Sequence, residues 1–114
     1  MTYYVYILRC ADGSYYTGTA SDLARRLQEH QDGVSPSSYT FRRRPIKLVW
    51  SEELNTHNEA LQHEYPIKGW SRAKKEALIR SDYQLIHELM REERRRRENK
   101  KGRRRIPLSG SAKR

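Results

Sequence analysis

The sequence predicts an α+β domain over residues 1–90, followed by a basic tail over residues 91–114. Two observations support this prediction. Residues 1–9 are rich in Tyr, Val and Ile, and residues 46–51 form an apolar run that contains Val49 and Trp50, so both segments suit β-strands. In the segments between and after them, apolar residues recur at helical spacing behind capping residues. The length of 114 residues suits one domain and leaves no room for a second of normal size.

The positive charge of the chain is concentrated in the tail. The chain has 24 Lys and Arg residues against 14 Asp and Glu, for a formal net charge of +10. Twelve of the basic and three of the acidic residues lie within residues 91–114, so the tail alone carries +9. Because it has only three apolar residues, we expect this tail to be disordered or a frayed helix. Such a tail favours an anionic partner, typically nucleic acid.

Cysteine content and hydropathy exclude several classes of protein. The single cysteine, Cys10, rules out an internal disulfide framework and a multi-cysteine zinc site, and a lone thiol fits the reducing cytoplasm. No run approaches the roughly 20 apolar residues of a membrane span, and residues 1–10 lack the features of a signal peptide. We therefore expect a cytoplasmic protein with no membrane partner. The sequence leaves the oligomeric state open.

The first two strands are predicted to form a β-hairpin. An Asp-Gly break within residues 11–13 separates the first strand from a second one at residues 14–18. A two-residue turn would place Tyr6 and Tyr16 on opposite faces of the hairpin. A three-residue loop with a left-handed glycine would pair Tyr6 with Gly18 and place Tyr6 and Tyr16 on one face. Composition alone does not choose between these registers.

Helical segments follow from capping residues and apolar spacing. The first covers about residues 22–32, with Gly33 as its C-terminal stop. Its Arg26 and His30 lie one turn apart along the border of the apolar stripe, whereas Arg25 points nearly opposite. Further helices are predicted over residues 56–69, 71–79 and 82–90, and the last apolar stripe stops at residue 90.

Glu64 is the most informative residue of the second predicted helix, because it projects near the centre of the apolar side. A carboxylate on a core-facing stripe is costly unless it is paired, coordinated or protonated. One interpretation is an ion pair with Lys68, in the favourable order with Glu four residues before Lys. The other interpretation is a metal site. Pro66 either redirects Glu64 or marks a helix boundary.

In their order and spacing, these segments resemble the GIY-YIG nuclease domain, in particular its small stand-alone bacterial members. Tyr4-Val5-Tyr6 resembles the Gly-Ile-Tyr signature, and Tyr16-Thr17-Gly18 resembles the Tyr-Ile-Gly signature that follows it. The segment at residues 22–30 is similar to the family's helix with its arginine and histidine. Glu64 followed by Lys68 resembles the metal-binding glutamate segment.

The resemblance covers residues 3–79 and implies a small three-stranded antiparallel sheet flanked by helices, with the site on one sheet face. Placing both signature tyrosines on that face requires the three-residue hairpin loop, with Gly18 as a structural residue opposite Tyr6. Two positions depart from the family pattern. Tyr4 replaces the first glycine and Pro66 interrupts the glutamate helix, but neither change removes a residue with a chemical role.

The activity that the resemblance implies is metal-dependent hydrolysis of phosphodiester bonds in DNA, with RNA or branched DNA as further substrates. Tyr6 is the implied general base, for which nearby cations would have to lower its pKa from the ordinary value near 10. Tyr16 would orient water or phosphate, Arg26 would bind phosphate oxygens, and His30 would shuttle a proton or hydrogen-bond the phosphate. Glu64 would hold one Mg²⁺ or Mn²⁺, since Mg²⁺ needs only one or two protein carboxylates.

Basic residues within the domain extend the expected nucleic-acid surface. Contacts to backbone phosphates are electrostatic and independent of base sequence. The residues expected to make them are Lys68, Arg42, Arg43, Arg44 and Lys47, with a further cluster at Arg72, Lys74 and Lys75. The other interpretation of each cluster is an ordinary solvated surface. No separate base-reading module is visible, so we expect low sequence specificity. The alternative to a nuclease is a non-catalytic nucleic-acid-binding module that retains the fold.

Overall fold

The computed structural model describes the backbone of residues 2–111 and the side chains of residues 2–100. The class is α+β, as predicted. The elements within this part of the chain are β1 (Tyr3–Arg9), β2 (Tyr15–Ala20), α1 (Leu23–Asp32), β3 (Lys47–Leu54), α2 (His57–Lys68), α3 (Arg72–Ile79) and α4 (Tyr83–Ser111), with a 3₁₀ turn (Phe41–Arg43) before β3. Among these helices none combines the length and the apolar composition that crossing a membrane requires.

The three strands form one antiparallel sheet in the order β2-β1-β3, so β1 is the central strand. Tyr6 pairs with Gly18 across the hairpin, and Tyr16 therefore points to the same face as Tyr6. The loop at residues 11–13 has three residues, and Gly13 has a φ of +85° in the left-handed region. The three-residue hairpin loop is thus confirmed.

Helices cover both faces of the sheet. Val5 and Ile7 of β1 belong to a core cluster formed with α2, α3 and α4. The alternate residues Tyr6 and Leu8 belong to a second cluster, against which α1 packs. Because side chains alternate between the two faces of a strand, the residues of β1 divide the molecule into these two layers. Tyr6 lies in the layer that contains α1.

Strand β3 is longer than its apolar run predicts. It continues through Glu52 and Glu53 to Leu54, which pairs with Tyr3 near the start of β1. As an edge strand it keeps several side chains exposed, so charged residues do not interrupt its pairing. The prediction that this strand ends at residue 51 was wrong, because it took the end of the apolar run as the end of the strand.

Helix α1 begins and ends where its capping residues predict. The Asp22 carboxylate accepts a hydrogen bond from the Arg25 amide, and Gly33 ends the helix with a φ of +67°. Leu23 and Leu27 pack from α1 against the layer that contains Tyr6. The caps set the ends of α1, and its apolar side sets the face that packs on the sheet.

Helix α2 starts with a capping box. The Thr56 hydroxyl accepts from the Glu59 amide, and the Glu59 carboxylate accepts from the Thr56 amide. Pro66 lies in the last turn, and the helix ends two residues later at Lys68. The proline therefore lies inside the helix near its C-terminal end, and Gly69 is the C-cap.

Helix α4 packs on α3 and continues past the domain end that we predicted at residue 90. Ile86 is buried in the core, and the Lys74 ammonium of α3 lies 2.8 Å from the Glu93 carboxylate of α4. The Lys74 side chain is only 8% exposed, so its assignment to an exposed phosphate-binding cluster was wrong. The division of the chain at residue 90 stays a prediction. Residues 112–114 of the predicted tail lie outside the described part of the chain.

Candidate active site

Three aromatic residues from β1, β2 and α1 meet on one face of the sheet. Tyr6 on the central strand is fully buried, and its ring centroid lies 6.3 Å from that of Tyr16 on β2. The His30 ring lies 6.0 Å from the Tyr6 ring and 5.2 Å from the Tyr16 ring. The hairpin register and the position of α1 therefore bring these predicted site residues together.

A chain of hydrogen bonds connects Tyr6 to the loop before β3. Tyr6 Oη lies 3.0 Å from His30 Nε2, and His30 Nδ1 lies 2.8 Å from Thr40 Oγ1. Thr40 Oγ1 lies 3.0 Å from Ser38 Oγ. Tyr6, His30 and Thr40 are all more than nine-tenths buried, so their polar atoms depend on these partners. The chain runs from a buried phenol to a partly exposed serine.

Two arrangements of protons satisfy this hydrogen-bond chain. In the first, His30 Nδ1–H donates to Thr40 Oγ1, which leaves Nε2 free to accept a proton from Tyr6. In the second, the Thr40 hydroxyl donates to Nδ1, and Nε2–H donates to the Tyr6 oxygen. Burial, assisted by Arg26, lowers the pKa of His30, so the ring is neutral near pH 7 as both arrangements require. Only the first makes His30 a base for Tyr6.

The environment of Tyr6 makes it a weaker acid than an ordinary tyrosine. Burial raises the pKa of Tyr6 to about 12, and the Tyr16 hydroxyl and the Glu64 carboxylate add to this rise. Arg26 interacts with the Tyr6 hydroxyl and lowers the pKa, but desolvation is the larger effect. Without a bound cation, Arg26 lowers the pKa of Tyr6 as expected but does not bring it below the ordinary value near 10. Tyr6 therefore needs an acceptor for its proton.

Arg26 lies beside the Tyr6 hydroxyl with part of its side chain in solvent. Its guanidinium interacts with Tyr6, and its Nη1 lies 3.3 Å from the Glu29 carboxylate. The Arg26 side chain is 50% exposed, whereas that of Arg25 is 75% exposed and turned outward. As predicted, Arg26 is the arginine that borders the core. A half-exposed guanidinium has donors available for an anion.

Glu64 lies near the site on α2 and is paired with Lys68. The Glu64 side chain is 16% exposed, and its Oε2 lies 3.4 Å from Lys68 Nζ, whose side chain is 55% exposed. A long contact to an exposed lysine is weak, so it leaves the carboxylate able to bind a cation. In the described residues there is no cluster of three or more His, Cys, Asp or Glu side chains that could hold a metal. A single carboxylate fits Mg²⁺, which retains several waters.

A groove of about 350 Å³ opens beside these residues. Tyr16, Arg26 and His30 line it together with the loop at residues 33–41. Tyr39 of this loop stacks on Tyr16, with ring centroids 6.1 Å apart. Three of the predicted site residues therefore border one opening, whereas Tyr6 lies behind them.

Two of the predicted phosphate-binding arginines hold this loop in place. The Arg43 guanidinium lies 3.9 Å from the centre of the Tyr39 ring and 3.1 Å from the Asp12 carboxylate. Arg44 donates to the Phe41 carbonyl and lies 4.8 Å from the centre of its ring. Both guanidiniums are therefore engaged within the protein, and binding of phosphate by them stays a prediction. Of the five residues predicted to bind backbone phosphates, Arg42 and Lys47 have exposed side chains with no hydrogen bond or ion pair in the described part of the chain.

Gly18 provides the space that the Tyr6 ring occupies. A Cβ placed on Gly18 would lie 2.6 Å from Tyr6 Oη and 3.0 Å from the Tyr16 ring. Both distances are shorter than van der Waals contact, so a side chain at this position would displace the tyrosines. This geometry supports the predicted structural role of Gly18.

The sequence of the chain that forms this fold and site matches a known family. A sequence model described as the GIY-YIG catalytic domain matches residues 2–77, two thirds of the chain. The chain belongs to the GIY-YIG family. The GIY-YIG match ends within α3, so it includes every predicted site residue and leaves α4 outside.

Relatives of this GIY-YIG chain are small proteins. A UPF0213 protein of Staphylococcus saprophyticus is 48% identical over 77 residues, which are 68% of this chain and 93% of that protein. A UPF0213 protein of Bacillus pumilus is 43% identical over 89 residues, which are 75% of this chain and 90% of that protein. The solution NMR structure of protein EF2693 from E. faecalis has a TM-score of 0.52 at 34% identity, covering 73% of this chain and 88% of that one.

Sequence reasoning on this GIY-YIG chain missed Ser38, Tyr39 and Thr40. All three line the groove, and Thr40 bonds directly to the ring of His30. They lie in a loop without periodicity, and Thr40 follows His30 by ten positions. No local pattern links a loop hydroxyl to a histidine on a preceding helix, so only the folded loop reveals the contact.

Proposed function

We propose that this protein is a metal-dependent endonuclease that hydrolyses phosphodiester bonds in DNA, with low sequence specificity. The observation that supports this best is the 3.0 Å hydrogen bond between Tyr6 and His30, next to the half-exposed Arg26 on an open groove. Arg26 and His30 line this groove, Tyr6 lies behind them, and the Glu64 carboxylate is near enough to Tyr6 to raise its pKa. RNA and branched DNA are further substrates of the same chemistry.

Tyr6 acts as the general base through His30. As the phenol accepts a proton from the attacking water, its own proton passes to His30 Nε2. The proton on His30 Nδ1 then passes to Thr40 while Thr40 passes its own to Ser38, and Ser38 releases its proton to water in the groove that it borders. This transfer leaves His30 neutral, as its buried position beside Arg26 favours.

Access of water to Tyr6 depends on Arg26. Tyr6 is fully buried, and the Arg26 guanidinium interacts with its hydroxyl. A phosphate in the groove would attract this half-exposed guanidinium through paired hydrogen bonds to its oxygens. The shift of Arg26 toward phosphate exposes the Tyr6 hydroxyl when substrate is bound. Tyr16, which lines the groove, orients the phosphate or the water.

Glu64 would hold the cation, Mg²⁺ or Mn²⁺. When bound, such a cation supplies Lewis-acid stabilisation of charge on the phosphate and on the leaving oxygen. Lys68 neutralises Glu64 in the absence of a cation, and its exposed side chain is free to turn toward backbone phosphates. A cytoplasmic location belongs to the same proposal, and the buried free thiol of Cys10 is compatible with it.

A cleavage panel tests this proposal. The purified protein is incubated with supercoiled, nicked, branched and single-stranded DNA and with RNA, in Mg²⁺, in Mn²⁺ or in EDTA. We expect cleavage that requires the metal and that falls by on the order of 10²-fold or more in Tyr6→Phe and in Glu64→Gln. Tyr15→Phe is the matched control, because its hydroxyl bonds to Glu76 at 3.1 Å in the other layer of the protein.

Two results would contradict the proposal. Equal cleavage by Tyr6→Phe and Tyr15→Phe would show that Tyr6 takes no part in the reaction. Cleavage that persists in EDTA would show that the reaction does not require a metal. Salt-dependent binding without cleavage of any substrate would favour a non-catalytic nucleic-acid-binding module.

A further inference from the structure

The second part of α4 forms a basic helical arm, which we define as residues 94–111. The exposed basic side chains of its described part are Arg94, Arg95, Arg96, Arg97 and Lys100, against one acidic residue, Glu98. The arm lies entirely outside the GIY-YIG match, which ends at residue 77. None of its residues belongs to the candidate active site.

The direction of the arm is set by the docked part of α4. Ile86 is buried in the core, and Glu93 pairs at 2.8 Å with the nearly buried Lys74 of α3. The helix continues from this anchor without a break to Ser111. At 1.5 Å per residue the arm is about 27 Å long, and the molecule measures 65 Å along its longest axis against 31 and 24 Å across.

The surface of the arm fits a polyanion better than a protein helix or a lipid surface. Successive residues of a helix are 100° apart, so the four arginines at positions 94–97 surround the helix. The whole segment at residues 91–100 contains no apolar residue, so it offers no stripe for pairing with another helix or for insertion into lipid. Arg96 pairs with the Glu92 carboxylate one turn before it, whereas Arg94, Arg95 and Arg97 are exposed and have no carboxylate partner in the described part of the chain.

We propose that this arm binds the phosphate backbone of double-stranded DNA, outside the segment held in the active-site groove. The choice of DNA among polyanions rests on the proposed function. Helix α4 packs in the Val5 and Ile7 layer, on the face of the sheet opposite Tyr6. The arm therefore starts from the far side of the domain and contacts phosphates remote from the scissile one. It lengthens the bound segment without reading base sequence.

A full-length variant with Arg94→Gln, Arg95→Gln, Arg96→Gln and Arg97→Gln tests the arm. Its matched control replaces the same four residues by Lys, which keeps the charge. Binding to duplexes of about 10 and about 30 base pairs, roughly 34 Å and 100 Å long, is measured in EDTA by fluorescence anisotropy over a range of salt concentrations. Circular dichroism of each variant verifies that the helices are retained.

On the longer duplex, we expect the Gln variant to reduce the slope of log affinity against log salt by about 1 to 2, since about half of the four arginines face one duplex and each phosphate contact contributes about 0.9. The Lys variant should keep the slope, and the shorter duplex should be little affected. An unchanged slope in the Gln variant, or equal losses in both variants, would overturn the proposal. If the arm contributes to binding but the protein cleaves no substrate, the proposed nuclease activity is wrong and the proposed role of the arm is retained.

Discussion

Tyr6 Oη and His30 Nε2 are 3.0 Å apart inside the protein, although the two residues are 24 positions apart in the chain. This contact joins the central strand of the sheet to α1, and it couples the protonation of a buried phenol to that of a buried imidazole. Because both rings are nearly excluded from solvent, a change in the charge of either one affects folding as well as chemistry.

Acid should destabilise the protein through His30. Burial lowers the pKa of His30 below its ordinary value of 6.5, so on acidification the unfolded chain takes up a proton before the native protein does. The stability contributed by neutral His30 is therefore fully present above about pH 6.5 and is lost as the pH falls through the folded-state pKa. Urea unfolding of the wild type and of His30→Gln between about pH 5 and 8 should show the wild-type advantage shrinking toward acid. A His30 titration midpoint above the ordinary value, measured by NMR, would contradict this.

Thr40 should act as a positioning residue for His30. Thr40→Val preserves shape but leaves His30 Nδ1 and Ser38 Oγ without their buried partner, at a cost of about 1–3 kcal/mol in the free energy of unfolding. We expect kcat to fall by a similar energy, roughly 5- to 100-fold, with KM little changed. Thr40→Ser, which keeps the hydroxyl, should retain most activity. If Val and Ser behave alike in urea unfolding and in cleavage rate, the hydroxyl has no such role.

Gly18→Ala should abolish cleavage because its Cβ would lie 2.6 Å from Tyr6 Oη. Gly13→Ala is the matched control. Its Cβ meets nothing within 4 Å, but a φ of +85° strains alanine, at a cost of about 1–2 kcal/mol. Both variants should lose stability in thermal unfolding, and only Gly18→Ala should lose activity. Full cleavage by Gly18→Ala would show that Tyr6 can move without consequence.

The two partners of the Lys74–Glu93 ion pair should respond unequally to substitution. Glu93→Gln leaves a nearly buried ammonium without its carboxylate and should lower the free energy of unfolding by about 1–3 kcal/mol. The cost stays below that of a fully buried pair because the Glu93 side chain is 36% exposed. Lys74→Met removes the buried charge and should change stability by less than about 1 kcal/mol. A larger loss for Lys74→Met in urea unfolding would contradict this account.

Most of the fold could be predicted because its signals are local. Asp22 and Thr56 cap helices through bonds to amides three residues away, and Gly33 stops α1 within the same short range. Local signals did not predict that Tyr6 and Tyr16 share a face, because this depends on the length of the hairpin loop. The residues left that length open, and only the family resemblance selected it.

The parts of the site that could not be predicted depend on partners distant in the chain. Arg43 looks like a free cation in sequence, yet it binds Asp12, which precedes it by 31 positions. Lys74 looks exposed until α4 brings Glu93 against it, 19 positions later. A charged residue in a sequence carries no information about whether its partner is a ligand or another part of the chain.

The central position of β1 in the sheet determines how Tyr6 can be displaced when the protein unfolds. β1 is hydrogen-bonded to β2 on one side and to β3 on the other, and its side chains belong to both core clusters. Since β1 is held by a strand on each side and by both core clusters, the Tyr6 amide should exchange with deuterium only through global unfolding. Tyr6 is then displaced together with the native fold in one cooperative step, whereas unwinding of the second part of α4 leaves the proposed base in place.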